Sequence, residues 1–392
     1  AYALDCLWGR TRKQPPTVTR MHMWLLKGQT EIVLLYAGLV KLNSDWLQLE
    51  PLRSWLLQRK DDHFFGWVWE YDWVIAAGNY GVIGLHILGA PLLLWKRTRL
   101  PVFLLYCAFH ISNHFVFDIG IFPWMTIAMS ALFFPSDWPR KIFHHKMFRQ
   151  LGARFGASWV MARRRASPVS DMVAPKGIAM AGHWRAVAFA TFACVWLVSQ
   201  AVFPLRHNLY KGDVAWTYEA HKFSWRMKLI DRWSPGMIAV AYLPEKDLLL
   251  VPPMKKLLTE RQYRKAVTRP RMAQILAPQL ARGIAAAYKV EDVRVHYYYP
   301  VGYNNRQATL LIDPKVDMVK APVNIVPAPW IIKTNDKPLR RREEFSNIHT
   351  YPHMREIAAM MTVPEPQTCR RLKNTWVVCK AGDTRHMSQA DK

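Results

Sequence analysis

The run from Tyr71 to Trp95 constrains this chain most. It is apolar apart from one acid, Asp72, at its start, and Asn79 and His86 within it. At about 1.5 Å per residue, a helix of this length crosses a hydrocarbon layer of about 30 Å. A second run, Trp184 to Phe203, has the same character. A buried helix in a large soluble protein is the alternative for each. Their length argues against it. Three shorter stretches, at about 22–42, 100–117 and 119–134, complete a set of five expected spans. Most carry Trp or Tyr near their ends, as interfacial belts do.

Charge points the same way. Lys and Arg number 54 against 28 Asp and Glu, a formal net charge of +26. Such an excess raises nucleic-acid binding. In a polytopic chain it also fixes topology and attracts anionic lipid, and no nucleic-acid partner is expected. The stretch 135–183 is rich in Lys and Arg, with Arg163–Arg165 standing among few acids. The positive-inside rule makes this loop cytoplasmic, so the chain beyond Phe203 is expected outside the cytoplasm. That part has Pro-rich punctuation (VPP, VPAPW, VPEPQ) and short alternating runs. VRVHYYYPVGY and ATLLIDPKVDMVK read as strands, and MAQILAPQLARGIAAAY as a helix. The expected architecture is a polytopic helical membrane domain over 1–203 and a soluble α+β domain over 204–392. The chain begins at Ala1 without Met, and an upstream N-terminal part with the first helices is expected to be missing.

Five cysteines make no disulfide framework. Cys107 and Cys194 fall in apolar runs. Cys369 and Cys379 flank an expected hairpin and could pair in an oxidising compartment.

Few residues offer chemistry. Lys41 ends the apolar string YAGLVK. A lysine there is either a snorkelling helix end or, if desolvated, a neutral amine able to act as a base. His110, Asn113 and His114 sit inside the third span. HxxxH is also a metal-ligand spacing. The di-iron desaturases need further boxes that are not present, and His144 and His145 lie in the basic loop, so no metal is expected. Interhelical hydrogen bonding is the plain alternative, for these residues and for Asn79 and His86. Glu70, Asp72 and Asp118 sit at span edges. No GxSxG, P-loop, GxGxxG or CxxC signature occurs.

Longer strings add a resemblance. KGQTEIVLLYAGLVKLNSDW (27–46), FHISNHFVFDIGIFPWMTIAMSALFFPSDWPRK (109–141), LYKGDVAWTYEAHKFSWRMKL (209–229) and LIDPKVDMVKA (311–321) resemble, in order, segments of the vitamin K-dependent γ-glutamyl carboxylases. Bacterial relatives of that family are grouped as HTTM-domain proteins. The resemblance implies peptidyl-glutamate γ-carboxylation with O2 and CO2 as co-substrates, coupled to epoxidation of reduced vitamin K (phylloquinol or menaquinol). It maps the catalytic lysine onto Lys41. Gln29, His110, Asn113 and His114 would border the quinol. Trp216, Phe223, Trp225 and Met227 would line its entry or that of glutamate, or simply pack. Cys6 stands where a Gly is expected, and the tail lacks the cysteine that clamps the two halves of animal members. The implied partners are a Glu-containing peptide or protein and the bilayer. A bacterial inner membrane with a periplasmic domain is expected, or the ER membrane with a lumenal one in a eukaryote. Two alternatives stay open: quinol oxidation without carboxylation, and a non-enzymatic membrane scaffold.

Overall fold

A computed structural model describes residues 20–117, 119–135, 138, 180–322, 327–334, 352–371 and 377–381. Cys6, Asp118, His144, His145, Arg163–Arg165 and almost all of the expected basic loop lie outside them. The chain divides into two compact units. The first takes residues up to Leu39 and Tyr80–Phe203, and the second takes Val40–Asn79 and Pro204–Lys392.

The first unit is helical. It holds α1 (Arg20–Leu39), α5 (Arg99–Phe117), α6 (Phe122–Ala131), α7 (Met180–Val202) and most of α4 (Asp72–Leu94). Among the described residues, three helices are long and apolar enough to cross a membrane: Asp72–Leu94, Arg99–Phe117 and Trp184–Leu209. Large apolar side chains such as Leu88, Leu104, Phe115, Phe192 and Val198 point outward from them. A water-soluble protein does not keep so much apolar surface exposed, whereas lipid is its natural solvent. The two other expected stretches differ from that pattern. Lys27 and Glu31 interrupt α1. Helix α6 has 10 residues, about 15 Å at the helical rise, half a bilayer.

Inside this unit Leu34, Ala90, Leu93, Val102, Tyr106 and Phe133 form the core. Tyr106 donates to the Leu85 carbonyl at 3.0 Å, tying α5 to α4. At Gly38 a Cβ would come within 2.7 Å of the Ile87 side chain, so glycine lets α1 approach α4 closely. Tyr36 donates to the Ala201 carbonyl, holding α7 against α1.

The second unit is α+β. A five-stranded antiparallel sheet runs in the order β4-β2-β3-β8-β7, with β2 Ile238–Leu243, β3 Leu248–Val251, β4 Arg294–Tyr298, β7 Pro366–Arg371 and β8 Val377–Ala381. A three-stranded sheet pairs β1 (Arg232–Trp233), β5 (Pro300–Tyr303) and β6 (Thr309–Leu310). Strand alternation divides β2 between two cores. Ala239 and Ala241 join the main core, which includes Ala273, Ala277, Ala281 and Ile284 of helix Pro270–Tyr288. Val240 joins Leu249, Ile357, Met361 and Cys379 on the other face. The expected helix and the VRVHYYYPVGY strands are present. ATLLIDPKVDMVK departs from expectation, since only Thr309–Leu310 forms a strand. Asp313 accepts from the Lys315 amide and Asp317 from the Val319 amide, and these local turns displace the ladder. Cys369 lies opposite Cys379 across β7 and β8, and the two form a disulfide.

The 40–79 segment contributes two short helices to this unit, α2 (Ser44–Leu47) and α3 (Leu52–Leu57).

Candidate functional site

Helix α1 stops at Leu39, short of the lysine that the apolar run had carried into a span ending at 42. Lys41 occupies the turn between α1 and α2 and lies outside all three apolar helices. The turn forms because Asn43 caps α2, its side-chain oxygen accepting from the Asp45 and Trp46 amides. The Lys41 side chain is enclosed, with 6% of its surface exposed. Its Nζ stands 5.0 Å from the centre of the Trp46 ring. Burial lowers the amine from its usual 10.5 to about 8. A snorkelling lysine keeps its amine in water, whereas this side chain is enclosed.

Trp46 is held from several sides. Its indole N–H donates to the Leu229 carbonyl at 3.0 Å, and its own carbonyl accepts from Asn79 Nδ2 at 2.8 Å. Asp45 Oδ2 accepts from Arg306 Nη1 at 2.7 Å and from Asn304 Nδ2 at 2.8 Å. Glu50 accepts from Asn305 and from Ser54. The other end of the Asn79 amide, Oδ1, is buried with no hydrogen-bond partner among the described residues.

The remaining expected residues fall in different places. His110 is buried on α5 against the rings of Tyr106, Phe109 and Phe122, and its Nε2 is buried with no hydrogen-bond partner among the described residues. His114, half-buried one turn later, packs on Phe115 and Trp124, and Asn113 beside it is half-buried. Gln29 accepts from Trp196 Nε1 at 2.8 Å, which joins α1 to α7. Trp216 is wholly buried in the α+β core and donates to the Ile332 carbonyl at 2.7 Å. Phe223 is exposed, and Trp225 and Met227 are half-buried. No cluster of three or more metal-ligating side chains occurs among the described residues.

A second constellation in the α+β unit escaped the sequence reading. The backbone from 218 to 228 turns through positive φ at Tyr218, Ala220, Phe223, Trp225 and Lys228. Non-glycine residues held this way store strain and gather at functional sites. Around this loop stand His221, Arg226, Arg232 and Arg269. His221 stacks on Tyr218 at 4.2 Å, and the Arg232 and Arg269 guanidinium groups lie 5.1 and 5.6 Å from that ring. Arg232 donates one nitrogen to the Ala215 and Trp216 carbonyls, both at 2.7 Å. Its Nε and Nη2, Arg226 Nε and His221 Nδ1 are buried with no hydrogen-bond partner among the described residues. Burial first, and then the three neighbouring arginines, push the His221 imidazole down to about 4. It is therefore neutral at pH 7. Buried guanidinium N–H groups without acceptors fit an incoming carboxylate.

The fold and these sites define an integral membrane protein with an attached α+β domain. Residues 1–138 match the HTTM domain, and residues 185–337 match the vitamin K-dependent gamma-carboxylase, lumenal domain. No solved structure matches the chain. With the two matches spanning most of its length, the chain belongs to the vitamin K-dependent γ-carboxylase family.

Proposed function

We propose that this protein γ-carboxylates peptidyl glutamate with reduced vitamin K, O2 and CO2, and that Lys41 is the base that begins the reaction. The observation that carries this reading is the enclosed Lys41 amine over Trp46, in a chain of this family. An amine near 8 is partly neutral at physiological pH and accepts a proton at Nζ without a large penalty.

The residues around Lys41 fit a hydroquinol. The Trp46 face suits a flat aromatic ring. Asn79 Oδ1 is a buried acceptor awaiting an O–H donor. Lys41, Trp46 and Asn79 would hold the group. When bound, reduced vitamin K supplies, on reaction with O2, the strong base that the glutamate γ-C–H requires. The protein's own part is to take the first proton on Lys41, keep water out and present the glutamate. The enclosure of Lys41 serves the second of these roles.

For the glutamate, His221, Arg226, Arg232 and Arg269 supply carboxylate-binding groups beside the strained 218–228 loop. Phe223, Trp225 and Met227 of that loop are candidates for its apolar lining. The disulfide between Cys369 and Cys379 favours an oxidising, extracytoplasmic compartment for the α+β unit. Incorporation of labelled CO2 into a Glu-containing peptide, compared between wild type and Lys41→Ala, tests the proposal. Epoxide formation without incorporation would assign quinol oxidation alone, and no quinol turnover would assign a scaffold.

A further inference from the structure

The segment HFFGWVWEYDW (63–73) is used by neither site. It follows one tight 3-10 turn, Lys60–Asp62, contains a second, Gly66–Glu70, and runs on into α4. The turns stack closely. A Cβ at Gly66 would fall 1.7 Å from the Lys60 carbonyl oxygen, so glycine is required there. On this short frame five large aromatic residues face outward: Phe64 is 88% exposed, Phe65 65%, Trp67 59%, Tyr71 51% and Trp73 72%. Phe64 and Phe65 touch edge to face at 4.9 Å, and Trp67 and Tyr71 at 6.3 Å. At a 3-10 rise of about 2 Å per residue, all five lie within roughly 20 Å.

The charges in the segment are neutralised. Glu70 pairs with Lys60 at 2.8 Å and Asp72 with Arg53 at 3.0 Å. Asp61 and Asp62 precede the aromatic run rather than interrupt it. An exposed aromatic patch of this size marks an interaction surface. Its continuity with α4 identifies the partner, because Trp73 lies in the first turn of an apolar helix long enough to cross the membrane. Aromatic rings with polar tips partition to the boundary between headgroups and acyl chains.

We propose that residues 64–73 are seated in the headgroup–acyl boundary of the bilayer, as an aromatic platform at the point where α4 enters it. The platform belongs to the 40–79 segment that also carries Lys41. It anchors that segment at the depth where lipid-soluble molecules partition. The proposal does not depend on the carboxylase reading.

The test uses the whole chain in phosphatidylcholine proteoliposomes, with Cys6, Cys107 and Cys194 replaced by Ala. Phe64→Cys and, separately, Trp67→Cys are labelled with NBD, an environment-sensitive fluorophore. Thr259→Cys, at an exposed cap of the α+β unit, is the aqueous reference. Both platform probes should lose fluorescence to shallow doxyl-labelled lipids and resist aqueous iodide, while the Thr259 probe behaves oppositely. Two variants guard against one failing to fold. Iodide quenching at 64 and 67 equal to that at 259, without doxyl quenching, would overturn the proposal. So would protection that disappears as protein is diluted in lipid, because a second copy of the chain would then be the cover.

Discussion

Arg306 Nη1 lies 2.7 Å from Asp45 Oδ2, and both side chains are largely enclosed. The pair joins the β5–β6 connection to the helix that carries Trp46, five residues past Lys41 in sequence. Asn304 donates to the same carboxylate oxygen, and its own side-chain oxygen accepts from the Asp231 amide at 2.9 Å. The α+β unit thus holds the ring that faces Lys41.

Removing one partner strands a buried charge. Arg306→Ala should destabilise the unit by about 3–5 kcal/mol, and Asp45→Asn together with Arg306→Ala should cost clearly less than the two single changes added. Chemical denaturation of the detergent-solubilised protein measures both. Additive costs would mean that the contact contributes nothing as a pair.

Lys41 sets the expected pH dependence. The neutral amine is the active form, so kcat/KM should rise with pH and level off above about 8. Lys41→Arg should be inactive throughout, since a guanidinium stays protonated. The same shift bears on stability. The folded amine titrates near 8 and the unfolded one near 10.5, so stability falls as pH drops through that window and Lys41→Met removes the slope. An activity profile unchanged in Lys41→Arg would assign the base elsewhere.

Arg232 and Arg226 should govern peptide affinity. A hydrogen bond to a charged group contributes about 1.5–3 kcal/mol, so Arg232→Gln should raise KM for the Glu peptide by roughly 10- to 100-fold. Quinol turnover without peptide should be unaffected. Initial-rate measurements over a peptide titration separate the two.

His221 should weaken the α+β unit in acid. Its folded value is depressed to about 4, against an ordinary 6.5. Between these values the unfolded state binds more protons, so stability falls as pH drops from 6.5 towards 4. His221→Gln should flatten this limb in thermal melts recorded across pH.

The membrane helices were legible because lipid demands a long apolar run, and Tyr71–Trp95 shows one at a glance. The α+β class was legible from alternation, as in VRVHYYYPVGY. The environment of Lys41 was not. Its enclosure depends on Trp46, which is fixed by Leu229 and Asn79, and no local pattern encodes contacts so far apart in sequence. Gln29 illustrates the same limit. It stood in a suggestive string, yet its oxygen is engaged by Trp196. The guanidinium cluster was missed for a further reason. Arg226, Arg232 and Arg269 are three among 54 basic residues, and what sets the cluster apart is the buried Nε of Arg226 and the buried Nε and Nη2 of Arg232, which have no partner among the described residues.

The most direct test of the central claim is a coupled measurement on the full protein in bilayers. Labelled CO2 fixed into a Glu-containing peptide and epoxide formed from reduced vitamin K are counted in the same reaction, for wild type and for Lys41→Ala. The account predicts that both products form in wild type and that both are lost in Lys41→Ala. Carboxylation that survives in Lys41→Ala, in protein that melts like wild type, would contradict it.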